Sequence, residues 1–257
     1  MRKKIYYMLV GILGENIASR LIVLYHMLEG EHIYRVKCQK KMKTSFWGSK
    51  MDGGFAVVPK KLGKKPLIFT FGIGENLTFS EAAYRETQAE IWAFDPTPCS
   101  IDFIQKSELM INGNIQFMPV GLADKDGEMD FFLPIDSDRV DNSASAFLHS
   151  KTKEQTITVP VRSFTSIVRQ VEEKRGKQID TIDIVKMDIE GSEFGVLHDM
   201  INSEVIDKVG QICVEVHPRF FEDGQERLDS LVNEMNQKDF YIVYTSPDKL
   251  VLTFYRE

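Results

Sequence analysis

The hydrophobic positions of the chain follow two alternating periods. Short runs rich in Ile, Val, Leu and Phe, typical of buried strands, are separated by stretches whose apolar residues recur at helical spacing. This alternation predicts an α/β fold, and a closing hairpin predicts an antiparallel edge on a parallel sheet. The predicted strands are 67–71, 90–94, 115–120, 129–134, 156–161, 182–189, 211–216, 240–244 and 250–255, and the predicted helices are 80–87, 100–110, 163–174, 192–200 and 226–237.

The stretch 179–197 places charged residues at the end of a predicted buried strand. Its apolar positions alternate, and Lys186, Asp188 and Glu190 fall two residues apart, so their side chains are expected on one face or at the rim. Ser192 is predicted to cap the helix that follows. Because ligands bind at the carboxyl ends of strands in α/β sheets, this strand end is the predicted mouth of a binding site.

A glycine turn follows the first strong strand, 67–71. Strand, glycine turn and helix form the first half of a nucleotide-binding unit, and Gly72 and Gly74 allow a ligand to approach the backbone. The third glycine of the dinucleotide fingerprint is missing, because Leu77 stands at its place. Asp95 ends the next strand at roughly the 20-residue spacing that suits hydrogen bonds to ribose hydroxyls.

Size and composition narrow the possible classes of protein. A chain of 257 residues that is 43% hydrophobic suits one α/β domain behind an N-terminal extension, or two small domains. We predict the first, with the extension at 1–50 and the domain at 51–257. A net charge of -6 argues against a broad nucleic-acid surface. The three cysteines, Cys38, Cys99 and Cys213, show no metal-ligand spacing, and their odd number suits a reducing compartment. We therefore predict a cytoplasmic protein.

The N-terminal extension is predicted to be helical. Residues 3–28 begin with a basic cluster and an apolar run, but Glu15 and Arg20 interrupt the run, and a spanning helix needs about 20 apolar residues. We expect an amphipathic helix without a membrane span, packed on the domain or on a partner. Peripheral contact with a membrane is the alternative. An apolar helix of this kind is also compatible with a homodimer.

Two further segments are candidates for binding a substrate. The segment 136–153 is rich in Ser and Asp and is the longest weakly structured run of the chain, which is typical of a functional lid and also of a surface loop. The basic segment 35–50 is either a solvated surface or a contact for an acidic ligand.

The motifs together resemble the FkbM family of S-adenosylmethionine-dependent methyltransferases. The resemblance covers about residues 67–217, and its most specific part is the central stretch. It implies a Rossmann-like class I methyltransferase fold, with a seven-stranded, mostly parallel sheet, an antiparallel last strand and helices on both faces. Thr70 and Phe71 stand where the family usually has an acidic residue before the first glycine. The matching segments are FGIGENLTF (71–79), AFDPTP (93–98), PVGLADKDG (119–127), VRSFTSI (161–167), DIVKMDIEGSEFGVL (183–197) and VEVH (214–217).

The resemblance implies S-adenosyl-L-methionine as the cofactor and methyl transfer to an oxygen, often on a sugar or a natural product. The glycine turn would then approach the methionine part and the sugar of the cofactor. Asp95 would hold the ribose hydroxyls, and Asp124 would lie near the adenine. Asp188 and Glu190 would face the methyl donor and the acceptor. The implied cofactor-binding residues are Gly72, Gly74, Glu75, Asp95, Asp124, Asp188 and Glu190.

Methyl transfer to a hydroxyl also needs a group that takes the hydroxyl proton. His217 is the first candidate for this base, because it follows a predicted strand of the same sheet and its ordinary pKa is near neutral. Asp188 is the second candidate, and Lys186 is expected either to keep the carboxylates ionised or to form an ordinary salt bridge. Asp188, Glu190 and His217 could also form an oxygen–nitrogen ligand set. We predict no metal site, since the sequence does not show that the three converge.

Three functions remain open at this point. The first is an O-methyltransferase acting on a small-molecule or glycan acceptor. The second is an NAD-dependent or nucleotide-sugar oxidoreductase on a Rossmann sheet, against which the incomplete glycine fingerprint and the terminal hairpin count. The third is a non-catalytic protein of the same fold that binds partners through its N-terminal helix.

Overall fold

The computed structural model describes Leu21 and residues 34–49, 53–134, 144–147 and 152–257. The strands, in chain order, are β1 (Ser45–Trp47), β2 (Phe55–Val57), β3 (Leu67–Phe71), β4 (Glu90–Phe94), β5 (Ile115–Met118), β6 (Gly121–Leu122), β7 (Gly127–Pro134), β8 (Thr152–Arg162), β9 (Ile182–Met187), β10 (Val209–Glu215), β11 (Phe240–Thr245) and β12 (Val251–Arg256). The helices are α1 (Thr78–Thr87), α2 (Pro98–Gln105), α3 (Glu108–Ile111), α4 (Phe164–Arg175), α5 (Glu193–Asn202) and α6 (Gly224–Gln237).

Seven strands form the central sheet in the order β11-β12-β10-β9-β3-β4-β5. The five strands from β10 to β5 run parallel, whereas β12 is antiparallel to both of its neighbours. This arrangement confirms the predicted seven-stranded sheet with its antiparallel last strand. From β3 the chain adds β4 and β5 on one side, and it later adds β9 on the other side of β3, so the strand order reverses between β3 and β9. Such a switch point opens a crevice beyond the carboxyl ends of the strands.

Both faces of the central sheet are buried, which explains the almost wholly apolar sequence of its strands. Successive residues of β3 point to opposite faces, so that Phe69 and Phe71 join one cluster and Ile68 joins the other. The first cluster contains apolar side chains of α4, α5 and α6, and the second contains those of α1, α2 and α3. The helices therefore cover both faces, as expected.

The strand predicted over 115–120 is present but ends two residues earlier. β5 ends at Met118, and Val120 N–H donates to the Met118 carbonyl in a tight turn (2.9 Å). Pro119 explains the break, since it has no N–H to continue the ladder. The chain then enters a separate three-stranded sheet, in which β8 lies between β6 and β7. The predicted strands 129–134 and 156–161 lie within the longer strands β7 and β8.

The predicted helix over 100–110 is also divided. α2 begins at Pro98, a residue favoured at the first helical position, with Thr97 and not Ser100 before it. The helix ends at Gln105, and Ser107 caps α3 by accepting a hydrogen bond from Met110 N–H (3.3 Å). The local apolar pattern did not reveal this break.

The segment before β3 is attached to the sheet by side chains of β10 and β12. The Gln211 amide bonds both the N–H and the carbonyl of Val58, and Thr253 Oγ1 donates to the Ala56 carbonyl (2.6 Å). β1 and β2 pair with each other, so the predicted boundary at residue 50 falls between two paired strands. The amphipathic helix predicted for residues 3–28 lies outside the described residues, apart from Leu21. Within the described part of the chain, no helix has the length and apolarity that a membrane span requires.

Replacement Glu90→Gln tests the contact between β4 and α4. Arg175 donates two hydrogen bonds to the Glu90 carboxylate (2.6 and 3.0 Å), and Trp92 Nε1 donates a third (3.0 Å). Partial burial opposes the charge of Glu90, but these donors outweigh it and hold the pKa of Glu90 below its ordinary value. Because the carboxylate is partly exposed, we expect the variant to lose about 0.5–1 kcal/mol of unfolding free energy at pH 7.

The pH dependence provides the check on this contact. A depressed folded-state pKa contributes stability above the unfolded-state value of about 4.3, and this contribution is lost as the pH falls through the folded-state pKa. Urea unfolding of both proteins at pH 7 and below pH 4 should therefore show a difference that shrinks in acid. A difference that stays constant with pH would contradict a charge-based contact.

Candidate active site

Gly72 lies where the ends of β3, β4 and β9 meet. Its N–H donates to the Phe94 carbonyl (3.1 Å), and Asp188 N–H donates to the Phe71 carbonyl (3.3 Å). Gly72 has a φ of +66°, and a Cβ at this position would lie 1.7 Å from the Asp188 carbonyl oxygen. The absence of a side chain at Gly72 is therefore required by the backbone of the neighbouring strand, whereas the sequence suggested only access for a ligand.

Gly74 and Asp95 form the second part of the glycine turn. Gly74 has a φ of +51°, and a Cβ there would meet no atom within 4 Å, so this side of the turn is open. Gly74 N–H donates to Asp95 Oδ2 (3.0 Å), and Asp95 Oδ1 accepts from the N–H and hydroxyl of Thr97 (2.9 and 2.6 Å). A carboxylate has about four acceptor positions, which leaves Asp95 with capacity for a further donor.

Lys186 is buried at the centre of the sheet, with 5% of its surface exposed. Its ammonium donates to the carbonyls of Phe71 (3.1 Å) and Gly72 (2.7 Å) at the end of β3. Among the described residues Lys186 forms no ion pair with Asp188 or Glu190, although its charge opposes the protonation of Asp188. Its first role is therefore to hold the glycine turn, which the sequence did not predict.

The ends of β9 and β10 bring Asp188, Glu190 and His217 together. His217 Nε2 lies 3.7 Å from Asp188 Oδ1 and 3.5 Å from Glu190 Oε2. One ligand atom from each of the three residues lies within 4.8 Å of the other two. Glu190 has a φ of +51°, a region in which residues other than glycine are uncommon. The structure thus shows the convergence that the sequence left open.

Glu193 is a fully buried residue of this site that sequence analysis missed. Its carboxylate accepts hydrogen bonds from Ile189 N–H (3.1 Å) and Gly191 N–H (3.1 Å), and Oε1 lies 2.8 Å from His217 Nδ1. Ser192 is the N-cap residue of α5, as predicted, but its side chain makes no capping hydrogen bond. The signal that could have found Glu193 is an acidic residue in the first turn after a glycine.

The charges of this cluster shift the pKa values of its members. Burial raises the pKa of Asp188, and the neighbouring carboxylates of Glu190 and Glu193 add to this effect against the charges of Lys186 and His217. Burial alone favours neutral His217, but Glu193, Glu190 and Asp188 outweigh it and raise its pKa to about 9. The near-neutral pKa that made His217 the first candidate base is therefore not kept in this arrangement.

Part of the predicted lid segment lies against the same turn. Ser145 Oγ donates to the Glu190 carbonyl (3.0 Å), and Phe147 packs against Phe220 and Phe221 with ring centroids 5.8 and 5.1 Å apart. Gly191 accommodates this contact, because a Cβ there would lie 2.6 Å from the Phe147 ring. The described residues 144–147 thus lie against the turn that carries Glu190. Residues 136–143 and 148–151 of the predicted lid lie outside the described residues, and the role of the segment stays a prediction.

Two of the predicted cofactor residues lie apart from these contacts. Glu75 is exposed on the glycine turn. Asp124 is also exposed, beyond β6, where its Oδ2 would lie 3.8 Å from a Cβ placed on Gly195 of α5. After burial, Asp124 is the next cause of the raised pKa of Asp199 in the same helix. The assignments of Glu75 and Asp124 to the cofactor stay predictions.

Comparison with known proteins identifies the family. The model of the methyltransferase FkbM domain matches residues 68–242. The probable methyltransferase-like protein 24 of Homo sapiens is 24% identical over 211 residues, which cover 79% of this chain and 48% of that protein. The hexuronic acid methyltransferase AglP of Haloferax volcanii is 26% identical over 146 residues, which cover 56% of this chain and 54% of that protein. The chain spans about half the length of these two curated relatives.

Among solved structures, the fibrillarin pre-rRNA processing protein of Methanococcus jannaschii has a TM-score of 0.47 and 11% identity, with 88% of this chain and 87% of that chain covered. The family match favours the methyltransferase prediction over the oxidoreductase alternative, and the strand order agrees with it. The chain belongs to the methyltransferase FkbM domain family and has the class I methyltransferase fold.

Proposed function

We propose that this protein transfers a methyl group from S-adenosylmethionine to a hydroxyl group of a sugar, a glycan or a natural product. The observation that carries the proposal is the contact between the glycine turn and the acidic cluster. Gly72 lies against the Asp188 backbone, so a donor held by the turn would be next to the side chains of Asp188, Glu190 and His217. The name of the hexuronic acid methyltransferase supports a sugar as the acceptor class.

The residues of the glycine turn fit a nucleoside cofactor. Gly74 leaves open space where any other residue would place a side chain. Beside it, Asp95 is 5% exposed, accepts hydrogen bonds from three donors and keeps capacity for a ribose hydroxyl. Lys186 holds the carbonyls of the turn, so the backbone that would face the cofactor is fixed before it binds. These features support binding of the donor in the crevice beyond β3 and β4.

S-adenosylmethionine, when bound, supplies a methyl carbon on a sulfonium sulfur, which keeps the electron pair when the carbon–sulfur bond breaks. The protein must hold the acceptor oxygen in line with that carbon, and such alignment can supply much of the rate acceleration. The proton of the hydroxyl passes to a carboxylate of Asp188 or Glu190 as the oxygen reacts, because the raised pKa of His217 keeps that imidazole protonated. A positioned proton acceptor contributes typically about 10²–10⁴-fold.

The test of this function separates donor binding from methyl transfer. Calorimetric titration with S-adenosylhomocysteine, the demethylated product, is expected to show micromolar binding, with NAD as the control that does not bind. Radiolabelled donor is then incubated with sugars, uronic acids and other hydroxylated compounds, and label transfer is measured. Binding of NAD alone, or of neither ligand, would reject the proposal, and the second result would favour a non-catalytic relative.

Replacement Asp95→Ala is expected to weaken binding of S-adenosylhomocysteine by about 10–100-fold. The variant loses the ribose contact and releases Gly74 N–H, and hydrogen bonds to charged groups are worth about 1.5–3 kcal/mol each. The matched control is Asp102→Ala, which removes an exposed carboxylate from α2. Calorimetry should show the loss in the first variant alone. Equal affinity in both would remove Asp95 from the donor site.

A further inference from the structure

We propose that Asp188, Glu190 and His217 form a binding site for a divalent metal ion at the carboxyl ends of β9 and β10. This inference rests on the proposed function, because the ion would act on the acceptor hydroxyl at the same site. Its first support is the donor set, since two carboxylates and an imidazole are ligands that divalent ions bind in proteins.

The distances within the cluster suit a shared ion better than direct hydrogen bonds. The separations of 3.7 and 3.5 Å between His217 Nε2 and the two carboxylates exceed the usual hydrogen-bond range. Two ligands that each lie about 2.1 Å from one ion are separated by roughly 3 Å at a right angle and by about 4.2 Å when they are opposite. The observed separations fall between these limits.

An unsatisfied oxygen points to the same conclusion. Asp188 Oδ1 is enclosed and has no hydrogen-bond partner in the part of the chain that the structure describes. A buried acceptor without a partner costs free energy, and native proteins rarely leave one. The imidazole of His217 has only 2% of its side chain exposed and directs Nε2 towards this oxygen. A cation between the two would satisfy both atoms.

The other ring nitrogen of His217, Nδ1, contacts a carboxylate, as is usual for histidines that bind a metal ion. Glu193 Oε1 lies 2.8 Å from Nδ1, and a carboxylate bonded to one ring nitrogen orients the imidazole so that the other nitrogen, Nε2, faces the position of the ion. The ring also stacks on Phe220, with centroids 5.5 Å apart and planes 13° apart. The orientation of the imidazole is therefore set before any ion arrives.

The site also leaves room for an exchangeable ligand. The side chains of Asp188 and Glu190 are 24% and 20% exposed, so the cluster is open on one side. An acceptor hydroxyl bound there would lose its proton more easily, because a divalent cation stabilises the resulting oxyanion. Carboxylate ligands suit Mn²⁺ as well as Mg²⁺ and Ca²⁺, so Mn²⁺ is a suitable probe of this site.

The test is a titration of chelator-treated protein with Mn²⁺ alone, followed by electron paramagnetic resonance. We expect one Mn²⁺ per chain and at least a 10-fold loss of affinity in Asp188→Asn and Glu190→Gln, which keep the side-chain shape. Glu193→Gln should weaken Mn²⁺ binding by about 10–100-fold, because the His217 imidazole loses the carboxylate that orients it. The control His198→Gln changes an exposed histidine of α5 that pairs with Glu234, and it should bind Mn²⁺ normally.

Circular dichroism and binding of S-adenosylhomocysteine show whether each variant is folded. No bound Mn²⁺ in the wild-type protein, or equal affinity in folded Asp188→Asn and Glu190→Gln variants, would overturn the inference. Full methyl transfer by metal-free protein would also overturn it while leaving the proposed function intact. If Mn²⁺ binds through these residues but S-adenosylhomocysteine does not bind, the metal site is supported and the proposed function is rejected.

Discussion

Replacement Gly72→Ala is expected to remove most of the folding stability of the protein. The added Cβ would lie 1.7 Å from the Asp188 carbonyl oxygen, on a backbone whose φ of +66° already disfavours a side chain. The contact can be relieved only if the ends of β3 and β9 separate, which breaks the hydrogen bond between Asp188 N–H and the Phe71 carbonyl. We expect a loss above about 4 kcal/mol of unfolding free energy, from a total of about 5–15 kcal/mol, measured by urea unfolding.

The matched control is Gly74→Ala in the same turn. Gly74 also has a positive φ, but the space at its Cβ position is open, so the expected loss of stability is about 1–2 kcal/mol. Its main effect should instead be weaker binding of S-adenosylhomocysteine, because the methyl group fills space proposed for the cofactor. An unfolding midpoint of Gly72→Ala equal to that of the wild type would contradict the close approach of β9.

Replacement Asp188→Asn is expected to lower the rate of methyl transfer by about 10²–10⁴-fold. The amide keeps the shape of the side chain and the backbone hydrogen bond to Phe71, but it can neither hold a negative charge nor accept the hydroxyl proton. Binding of S-adenosylhomocysteine should change only slightly, since the donor contacts of Gly74 and Asp95 are untouched. Single-turnover kinetics with labelled donor measure the chemical step directly.

The control for this variant is Asp180→Asn, at the opposite end of the same segment. Asp180 is exposed just before β9, so its neutralisation removes the same charge without touching the cluster. Its turnover should equal that of the wild type. If Asp188→Asn is equally active, the acidic cluster takes no part in the reaction, and the proposed route for the proton is wrong.

The sequence predicted the central sheet and the mouth of the site because both depend on local patterns. Strands buried on two faces are nearly continuous apolar runs, and residues that follow parallel strands meet at one edge. The sequence therefore predicts Asp188, Glu190 and His217 at the same rim. In the structure, His217 Nε2 lies 3.7 Å from the Asp188 carboxylate and 3.5 Å from the Glu190 carboxylate. The incomplete glycine motif predicts a turn that binds a nucleoside, and the open space beside Gly74 is compatible with that prediction.

The remaining features depend on contacts between distant segments, which a local pattern does not contain. Lys186 reaches the carbonyls of Phe71 and Gly72 on another strand, and a lysine between apolar residues does not reveal this. The raised pKa of His217 depends on Glu193, whose burial follows from the packing of α5. The constraint on Gly72 likewise arises from the β9 backbone.

Glu193 has a consequence for the reorganisation energy of the site. Its single carboxylate fixes the turn through Ile189 and Gly191 and fixes the imidazole of His217 at the same time. The imidazole therefore cannot rotate without disturbing the turn that carries Glu190. Polar groups that are held in this way need little rearrangement as charge develops during a reaction. Folding thus already orients the side chains of Glu190 and His217, and no further free energy is needed to orient them in each turnover.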